Sequence, residues 1–162
     1  MGKTYIDATD RKILKFLIKN ARMPFLEIAR ECRISGAAIH QRIKKLEDTG
    51  VILGSSMVVD PKKLGFDVCA YVSINVSDLQ SQWPAIEQLR QIPEIAECNI
   101  VTGTHNIMVK LYCRDNDHLM KTIFNNILSI PGIRSTQTCI SLDEPFVRPV
   151  NIDTAVAPPD KR

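Results

Sequence analysis

Hydrogen-bonding, cationic and very small side chains are concentrated along one short stretch of the chain, from Ser35 to Lys45. His40 and Gln41 can exchange hydrogen bonds with the edges of bases, and lysine and arginine bind phosphates. Small residues at the beginning of the stretch let a backbone approach the bases closely. The candidate DNA-contacting residues are Ser35, Gly36, Ala37, His40, Gln41, Arg42, Lys44 and Lys45.

The same stretch has the pattern of an amphipathic helix. Ile39, Ile43 and Leu46 recur at i, i+4 and i+7, so they share the face that packs into a core. Ser35 is a favourable N-cap, and Gly50 ends the helix. The opposite, polar face is therefore left free to contact DNA.

A second helical pattern precedes this one, from about Pro24 to Cys32, with Leu26, Ile28 and Ala29 expected near the core. Proline suits the first turn of a helix. Two helices at this spacing are typical of a helix-turn-helix, whose second helix, the recognition helix, enters the major groove. The alternative is a solvated surface helix, and the fixed spacing to the preceding helix favours DNA binding over it.

A further helix from about Ala8 to Asn20 is expected to brace this pair, through an apolar stripe of Ile13, Leu14, Leu17 and Ile18. After the recognition helix, Val51 to Val59 alternates weakly and is expected to form a strand or a wing. The predicted boundaries are residues 1–60 for the DNA-binding module, 61–65 for a hinge, 66–144 for a second module and 145–162 for a tail.

Charge is divided unequally between the modules. Residues 1–60 carry 11 Lys/Arg against 7 Asp/Glu, whereas residues 61–162 carry 10 against 11. Because an excess of four positive charges is modest, strong DNA affinity would need at least two copies acting together. A homo-oligomer is therefore expected.

The five cysteines form no C-x-x-C pair, which argues against a zinc site and a disulfide framework and favours buried, reduced thiols. No signal peptide is recognised, and no apolar run approaches the ~20 residues needed to cross a bilayer. We therefore expect a cytoplasmic protein that does not associate with membranes. None of the three histidines lies in a nucleophile motif, and the sequence has no phosphate-cradling glycine loop, so there is little support for an enzymatic function. No cofactor or metal is expected.

The second module contains an internal repeat. A strand pattern from Val68 to Val76 is followed by a helix around residues 84–91 and by Ile-Pro-Glu-Ile at 92–95. The same order occurs again: alternation from Ile107 to Leu111, a helix over about residues 116–129, and Ile-Pro-Gly-Ile at 130–133. Pro131 lies 38 residues after Pro93. Two tandem β-α-β units predict a ferredoxin-like βαββαβ fold with four antiparallel strands and two helices on one face.

The other face of this sheet is predicted to be too apolar to remain fully solvated. It carries Cys69, Tyr71, Ser73, Met108 and Tyr112. We expect it to pack against a second copy of the chain. The fold class is therefore α+β, with an N-terminal winged helix-turn-helix and a C-terminal ferredoxin-like domain.

From Ile6 to about Glu144 the chain resembles the Lrp/AsnC (feast/famine) family of transcription regulators. The residues that carry the resemblance are Ile6 to Asp10 with Ile13-Leu14, Glu27-Ile28-Ala29, Ser35, Arg42 to Glu47, and Gly50-Val51-Ile52. The resemblance implies binding to double-stranded DNA, a C-terminal ligand-sensing domain, dimers that assemble into tetramers or octamers, and control by an amino acid or related small metabolite.

Three departures from the family pattern bear on that implication. Arg33 stands where the turn often has glycine, and a left-handed conformation there costs on the order of 1 kcal/mol. Pro24 replaces the usual hydroxyl cap of the preceding helix. The loop that commonly reads Gly-Asp-aromatic-Asp reads Gly103-Thr104-His105-Asn106, so two carboxylates that could accept from an ammonium group are absent.

By resemblance, this loop helps to form the effector site between subunits, and Thr136 and Thr138 point into the same cleft. The expected effector-binding residues are Gly103, Thr104, His105, Asn106, Thr136 and Thr138. The hypothesis is that the site prefers a ligand with a weaker cationic requirement or has lost its ligand. The alternative function is that of a metabolite-binding oligomer with no DNA-binding role.

The proline-containing tail is expected to be extended or disordered, or to form an arm to a neighbouring subunit.

Overall fold

In the computed structural model, which describes residues 6–154, the chain divides into a helical unit and a sheet unit. The helical unit comprises residues 6–57 together with 147–154, and the sheet unit comprises residues 58–146. The described part of the tail therefore belongs to the N-terminal unit, although no pattern in the sequence predicts this. Residues 155–162, with Pro158 and Pro159, lie outside the described residues.

Three α-helices form the main part of the helical unit: α1 (Ala8–Lys19), α2 (Phe25–Cys32) and α3 (Gly36–Asp48). The hydroxyl of Ser35 accepts a hydrogen bond from the Ala38 N–H at 3.2 Å, so the predicted N-cap of α3 is confirmed. Gly50 adopts a φ of 69°, in the left-handed region, and ends the helix as predicted.

The core of the helical unit contains Ile13, Ile28, Ala29, Ile39 and Ile43, all of them buried. These residues lie on the helix faces that the apolar spacing predicted. The prediction was wrong for Leu26, which is 62% exposed, and for Ile18 of the α1 stripe, which is 40% exposed. Leu26 lies in the first turn of α2 and contacts the beginning of α3 instead, since a Cβ on Gly36 would lie 3.1 Å from its Cδ2.

The turn between α2 and α3 depends on a strained residue. Arg33 has φ 55° and ψ 45°, the left-handed conformation that glycine adopts without a steric penalty. Pro24 occupies the N-cap position of α2 and makes no side-chain capping hydrogen bond. Both departures noted in the sequence are therefore accommodated without rebuilding the helix-turn-helix.

Residues 51–60 contain no β-strand, so the strand considered for Val51 to Val59 is absent. The N–H groups of Val51 and Ile52 both donate to the carbonyl of Leu46, which folds the chain back onto the end of α3. The helical unit, within the described residues, has no sheet edge to which such a segment could pair.

The sheet unit has the predicted βαββαβ order, with all pairs antiparallel and the strands arranged β2-β3-β1-β4. A π-helical turn over Thr122–Ile127 extends its second helix, and short 3-10 helices occur at Lys62–Leu64 and Ile152–Thr154. The elements are β1 (Val68–Val76), α4 (Gln82–Leu89), β2 (Ile95–Ile100), β3 (Ile107–Cys113), α5 (Asn116–Lys121) and β4 (Ile133–Ser141).

The internal repeat extends to individual hydrogen bonds. The Ile95 N–H donates to the Ile92 carbonyl, and the Ile133 N–H donates to the Ile130 carbonyl, each at 3.1 Å. Both turns lead from a helix into a strand, as the two Ile-Pro-x-Ile segments predicted. One face of β1, including the fully buried Ala70, Val72 and Ile74, lies in the core that the helices cover.

The other face of the sheet contains a buried charge that the sequence analysis missed. Lys110, only 7% exposed, donates to Glu144 Oε1 at 2.5 Å. Its ammonium group lies 5.7 Å from the ring centroid of Tyr71 and 5.3 Å from that of Tyr112. The hydrogen bond to Glu144 is the main cause that raises the pKa of Lys110, and it outweighs the opposing effect of burial.

Not all of the cysteines are buried as expected. Cys113 is buried, Cys32 and Cys69 are half-buried, and Cys98 and Cys139 are exposed because they lie on β2 and β4, the two edge strands. In the described range, no His, Cys, Asp and Glu side chains group in a way that could hold a metal ion. None of the helices between residues 6 and 154 is long and apolar enough to span a membrane.

Candidate functional site

The outer face of α3 presents most of the predicted DNA-contacting side chains to solvent. Gly36 and Arg42 are half-buried. The exposed members of the set are Ser35, Ala37, His40, Gln41, Lys44 and Lys45. The helix therefore has one face that packs into the core through Ile39, Ile43 and Leu46, and one face on which hydrogen-bonding and cationic groups are accessible.

Arg42 differs from its predicted position at a phosphate, because its guanidinium is held inside the helical unit. Arg42 Nη1 donates to Asp7 Oδ2 and to Asp10 Oδ1, each at 2.6 Å. Asp10 is fully buried, and Lys45 Nζ lies 3.5 Å from its Oδ2. A buried carboxylate of α1 therefore binds two cations of α3 and fixes one helix against the other.

Asp7 and Asp10 also form a capping box at the beginning of α1. The Asp10 N–H donates to Asp7 Oδ1 at 2.8 Å, and the Asp7 N–H donates to Asp10 Oδ2 at 3.3 Å. Burial raises the pKa of Asp7, but the hydrogen bonds from Arg42 and from the Asp10 N–H outweigh it and hold that pKa below its usual value. The same carboxylates raise the pKa of Arg42.

His40 has a neighbour that limits the orientation of its ring. The imidazole packs edge-on against the ring of Phe25, with centroids 5.2 Å apart and an interplanar angle of 72°. Phe25 is the first residue of α2, so the first helix of the pair positions a side chain of the second. An orientation fixed in this way favours a directional hydrogen bond to a base.

The candidate effector loop is tied to the strands on both sides of it. Asn106 Oδ1 accepts from the Val76 N–H at 3.1 Å, and the Asn106 N–H donates to the Ile74 carbonyl. Just before the beginning of β3, the amide oxygen takes the place of the backbone carbonyl with which the Val76 N–H of β1 would otherwise pair. Asn106 therefore has a structural partner, which occupies one of the two acceptor positions of its side-chain oxygen.

His105 and Gln137 form the second tie. His105 Nε2 lies 3.1 Å from Gln137 Oε1, and an amide oxygen can only accept, so Nε2 carries the hydrogen in this arrangement. His105 Nδ1 is buried and has no hydrogen-bond partner among the described residues. Thr104 and Gly103, in contrast, are exposed.

Thr136 and Thr138 share one face of β4, as period-two alternation predicted. Thr136 is paired with Ile74 and Thr138 with Val72, so both lie on the side of the sheet that the helices cover. Gln137, between them, lies on the opposite side together with His105. The loop and Thr136 flank Ile74 at the same end of the sheet, since the Asn106 N–H donates to the Ile74 carbonyl and Thr136 pairs with Ile74.

A helix-turn-helix with an accessible recognition helix, joined to a four-stranded α+β domain, defines the class of DNA-binding regulators that carry a ligand-binding domain. Residues 6–52 match the family model for winged helix-turn-helix DNA-binding, and residues 69–150 match that for the Lrp/AsnC ligand binding domain. The chain belongs to the Lrp/AsnC family.

Individual relatives agree with this assignment. Regulatory protein AsnC of Escherichia coli K12 is 35% identical over 150 residues, covering 93% of this chain and 99% of the relative. The HTH-type transcriptional regulator LrpA of Pyrococcus horikoshii is 33% identical, covering 86% and 98%.

Solved structures show the same fold. The structure of E. coli AsnC matches with a TM-score of 0.85 over 91% of this chain and 99% of that chain. A Neisseria meningitidis transcriptional regulator in complex with L-Met matches with a TM-score of 0.81 at 22% identity, over 88% and 93%.

Proposed function

We propose that this protein is a sequence-specific transcriptional regulator that reads double-stranded DNA with the outer face of α3. The observation that carries this proposal is the asymmetry of α3. Its inner side is fixed by the core and by the ion pairs to Asp10, while His40, Gln41 and Lys44 are exposed. A metabolite-binding oligomer without a DNA-binding role would have no use for such a face.

Within this proposal the predicted residues have different tasks. His40 and Gln41 contact base edges, and Lys44 contacts the phosphates. Ser35, Gly36 and Ala37 form the beginning of the helix that approaches the groove. Arg42 serves mainly to hold α3, and Lys45 divides its charge between Asp10 and the DNA.

We further propose that the protein acts as a homodimer, which assembles into tetramers or octamers. The open face of the sheet supports this, because Tyr71 and Met108 are each 36% exposed around the buried Lys110. A dimer places two recognition helices on half-sites separated by a whole number of helical turns. It also doubles the modest positive charge of one copy.

The Lys44→Ala variant tests the DNA-binding face. Loss of one phosphate contact is expected to weaken binding to all sequences alike and to reduce the slope of log affinity against log salt by about 1 per contact. The measurement is fluorescence anisotropy on duplexes that the wild-type protein selects from a random-sequence library. Lys63→Ala, which removes the same charge from the sheet unit, is the matched control.

If Lys44→Ala retained both the affinity and the salt slope, Lys44 would not contact phosphates. If the wild-type protein selected no sequence and showed no salt-dependent affinity, the metabolite-binding alternative would replace the DNA-binding proposal.

The effector is proposed to be an amino acid or a related small metabolite, bound between subunits near residues 103–106, Thr136 and Thr138. Two facts support this: the chain matches a ligand-binding family model, and a structural neighbour was solved with L-Met. Val76 occupies one of the two acceptor positions of the Asn106 side-chain oxygen. The acceptors available in the loop are the other position of that oxygen, the backbone carbonyls, Thr104 and His105 Nδ1.

Thermal unfolding against each of the twenty amino acids tests this part of the proposal. A ligand present at about 100 times its dissociation constant is expected to stabilise the folded protein by about 2.7 kcal/mol per site. A selective rise of the midpoint with one ligand class, abolished by Thr138→Val but not by Thr9→Val in the helical unit, is the expected result. Twenty unchanged midpoints would show that this chain does not sense free amino acids.

A further inference from the structure

The outward face of α1 is contacted by the C-terminal tail. Arg11, Lys15 and Ile18 recur at i, i+4 and i+7 and therefore share this face. Arg11 Nη1 donates to the Ile152 carbonyl at 3.3 Å, and the Lys15 ammonium forms an ion pair with Asp153. The tail thus returns from the sheet unit to contact the first helix of the helical unit.

The contacting turn of the tail is shaped by its own hydrogen bonds. Asn151 Oδ1 accepts from the Asp153 N–H at 2.9 Å, and the Asn151 carbonyl accepts from the Thr154 hydroxyl at 2.9 Å. These bonds support the 3-10 helix that carries Ile152 and Asp153, whose backbone hydrogen bond runs from the Thr154 N–H to the Asn151 carbonyl at 3.3 Å. Ile152 is half-buried and lines, with Ile18, a groove of about 550 Å³ between the tail and α1.

A second side of α1, about 100° around the helix axis from the first, contacts the recognition helix. Asp10, the residue before Arg11, is the fully buried carboxylate that binds Arg42 and Lys45 of α3. Neighbouring residues of α1 therefore hold the tail on one side and α3 on the other. A displacement of α1 would move the anchor of the DNA-reading face.

We propose that residues 147–154 act as a strap that holds α1, and through α1 the recognition helix, in the position that binds DNA. Asp153 is a positioning residue in this arrangement, because it acts through Lys15 and does not itself contact DNA. The proposal rests on the DNA-binding function proposed above, and it assigns a part in that function to the C-terminal end of the chain.

The direction in which the DNA affinity changes when Asp153 is replaced distinguishes a positioning role from a direct electrostatic effect. DNA is an anion, so removing the carboxylate of Asp153 without any other change would strengthen binding. A strap that loosens would weaken it instead. The two explanations therefore predict opposite changes for the same substitution.

The test is the DNA affinity of full-length variants, measured by anisotropy at several salt concentrations on a duplex selected by the wild-type protein. Asp153→Ala is expected to bind roughly fivefold more weakly, the upper range for loss of one exposed ion pair. The exchanged pair Lys15→Asp with Asp153→Lys keeps the net charge and is expected to restore the wild-type affinity. Asp67→Ala removes a carboxylate from the sheet unit and should not weaken binding.

The midpoint of thermal unfolding is expected to fall by no more than a few degrees in these variants, so they stay folded at the temperature of the assay. A weaker complex then reports positioning and not a loss of fold. Equal or tighter binding by Asp153→Ala would overturn the strap, and so would an exchanged pair that stays as weak as the single variant. A wild-type protein with no salt-dependent affinity would instead overturn the DNA-binding proposal, and the strap with it.

Discussion

Replacing Asp10 with alanine is expected to lower the free energy of unfolding of the helical unit by about 3 kcal/mol. Breaking a buried ion pair by removing one partner typically costs about 3–5 kcal/mol. The lower end applies because the Arg42 side chain is 31% exposed and keeps its second partner, Asp7. The loss of Asp10 also removes half of the capping box of α1.

Hydrogen exchange of the α1 and α3 amides during urea titration measures this effect. The only tryptophan, Trp83, lies in α4 of the sheet unit and does not report on the helical unit. Lys45→Ala is the matched control, since that side chain is 48% exposed and 3.5 Å from Asp10. We expect a loss of less than about 1 kcal/mol for Lys45→Ala. A similarly small loss for Asp10→Ala would show that the carboxylate does not anchor α3.

Replacing Glu144 with alanine is expected to destabilise the sheet unit by about 2 kcal/mol, whereas Lys110→Met is expected to cost less than about 1 kcal/mol. The asymmetry follows from burial. Loss of Glu144 leaves a lysine that has only 8% of its side chain exposed and has lost its hydrogen-bonded carboxylate. Loss of Lys110 leaves a glutamate that is 44% exposed and can be hydrated. Partial exposure of Glu144 reduces the expected cost below that of a fully buried pair.

Urea denaturation followed by Trp83 fluorescence measures both variants, with Glu97→Ala as the control. Glu97 is the cross-strand neighbour of Lys110 and is exposed. The pKa of Lys110 is raised in the folded state, so the contribution of the pair is complete below about pH 10.4 and is lost as the pH rises through the folded-state value. Measurements at pH 7 therefore detect the full effect. Equal losses for Glu144→Ala and Lys110→Met would contradict the argument from burial.

Elements with strong periodicity and clear caps could be predicted from the sequence. Ile39, Ile43 and Leu46 define the buried face of α3, and Ser35 and Gly50 define its ends, because these signals are local. The alternation in β1 and the repeated Ile-Pro-x-Ile turns similarly defined the βαββαβ order. Each of these inferences depends on residues separated by only a few positions.

The contacts that could not be predicted join residues that are distant in the sequence. Arg42 lies 32 residues after Asp10, and an aspartate near a helix N-terminus is usually a solvated cap, not a buried anchor. His105 and Gln137 are likewise 32 residues apart. A polar, proline-containing tail gives no periodic signal, so its contacts with α1 can be seen only in the three-dimensional structure.

The engagement of Asn106 changes the interpretation of the effector loop. From the sequence, its amide oxygen counts as a neutral replacement for a missing carboxylate. In the structure that oxygen accepts from the Val76 N–H, so one of its two acceptor positions is already occupied. The hypothesis of a ligand with a weaker cationic requirement stays a prediction, and the thermal-unfolding series against the twenty amino acids tests it.

The return of the tail to α1 has a consequence for the order in which the protein folds during synthesis. The N-terminal residues leave the ribosome first, but Ile152 and Asp153 are made only after the whole sheet unit. Until then, nascent α1 lacks its contacts with the tail. The helical unit is therefore the first to begin folding and the last to be completed, and a chain released early by premature termination would carry an incomplete one.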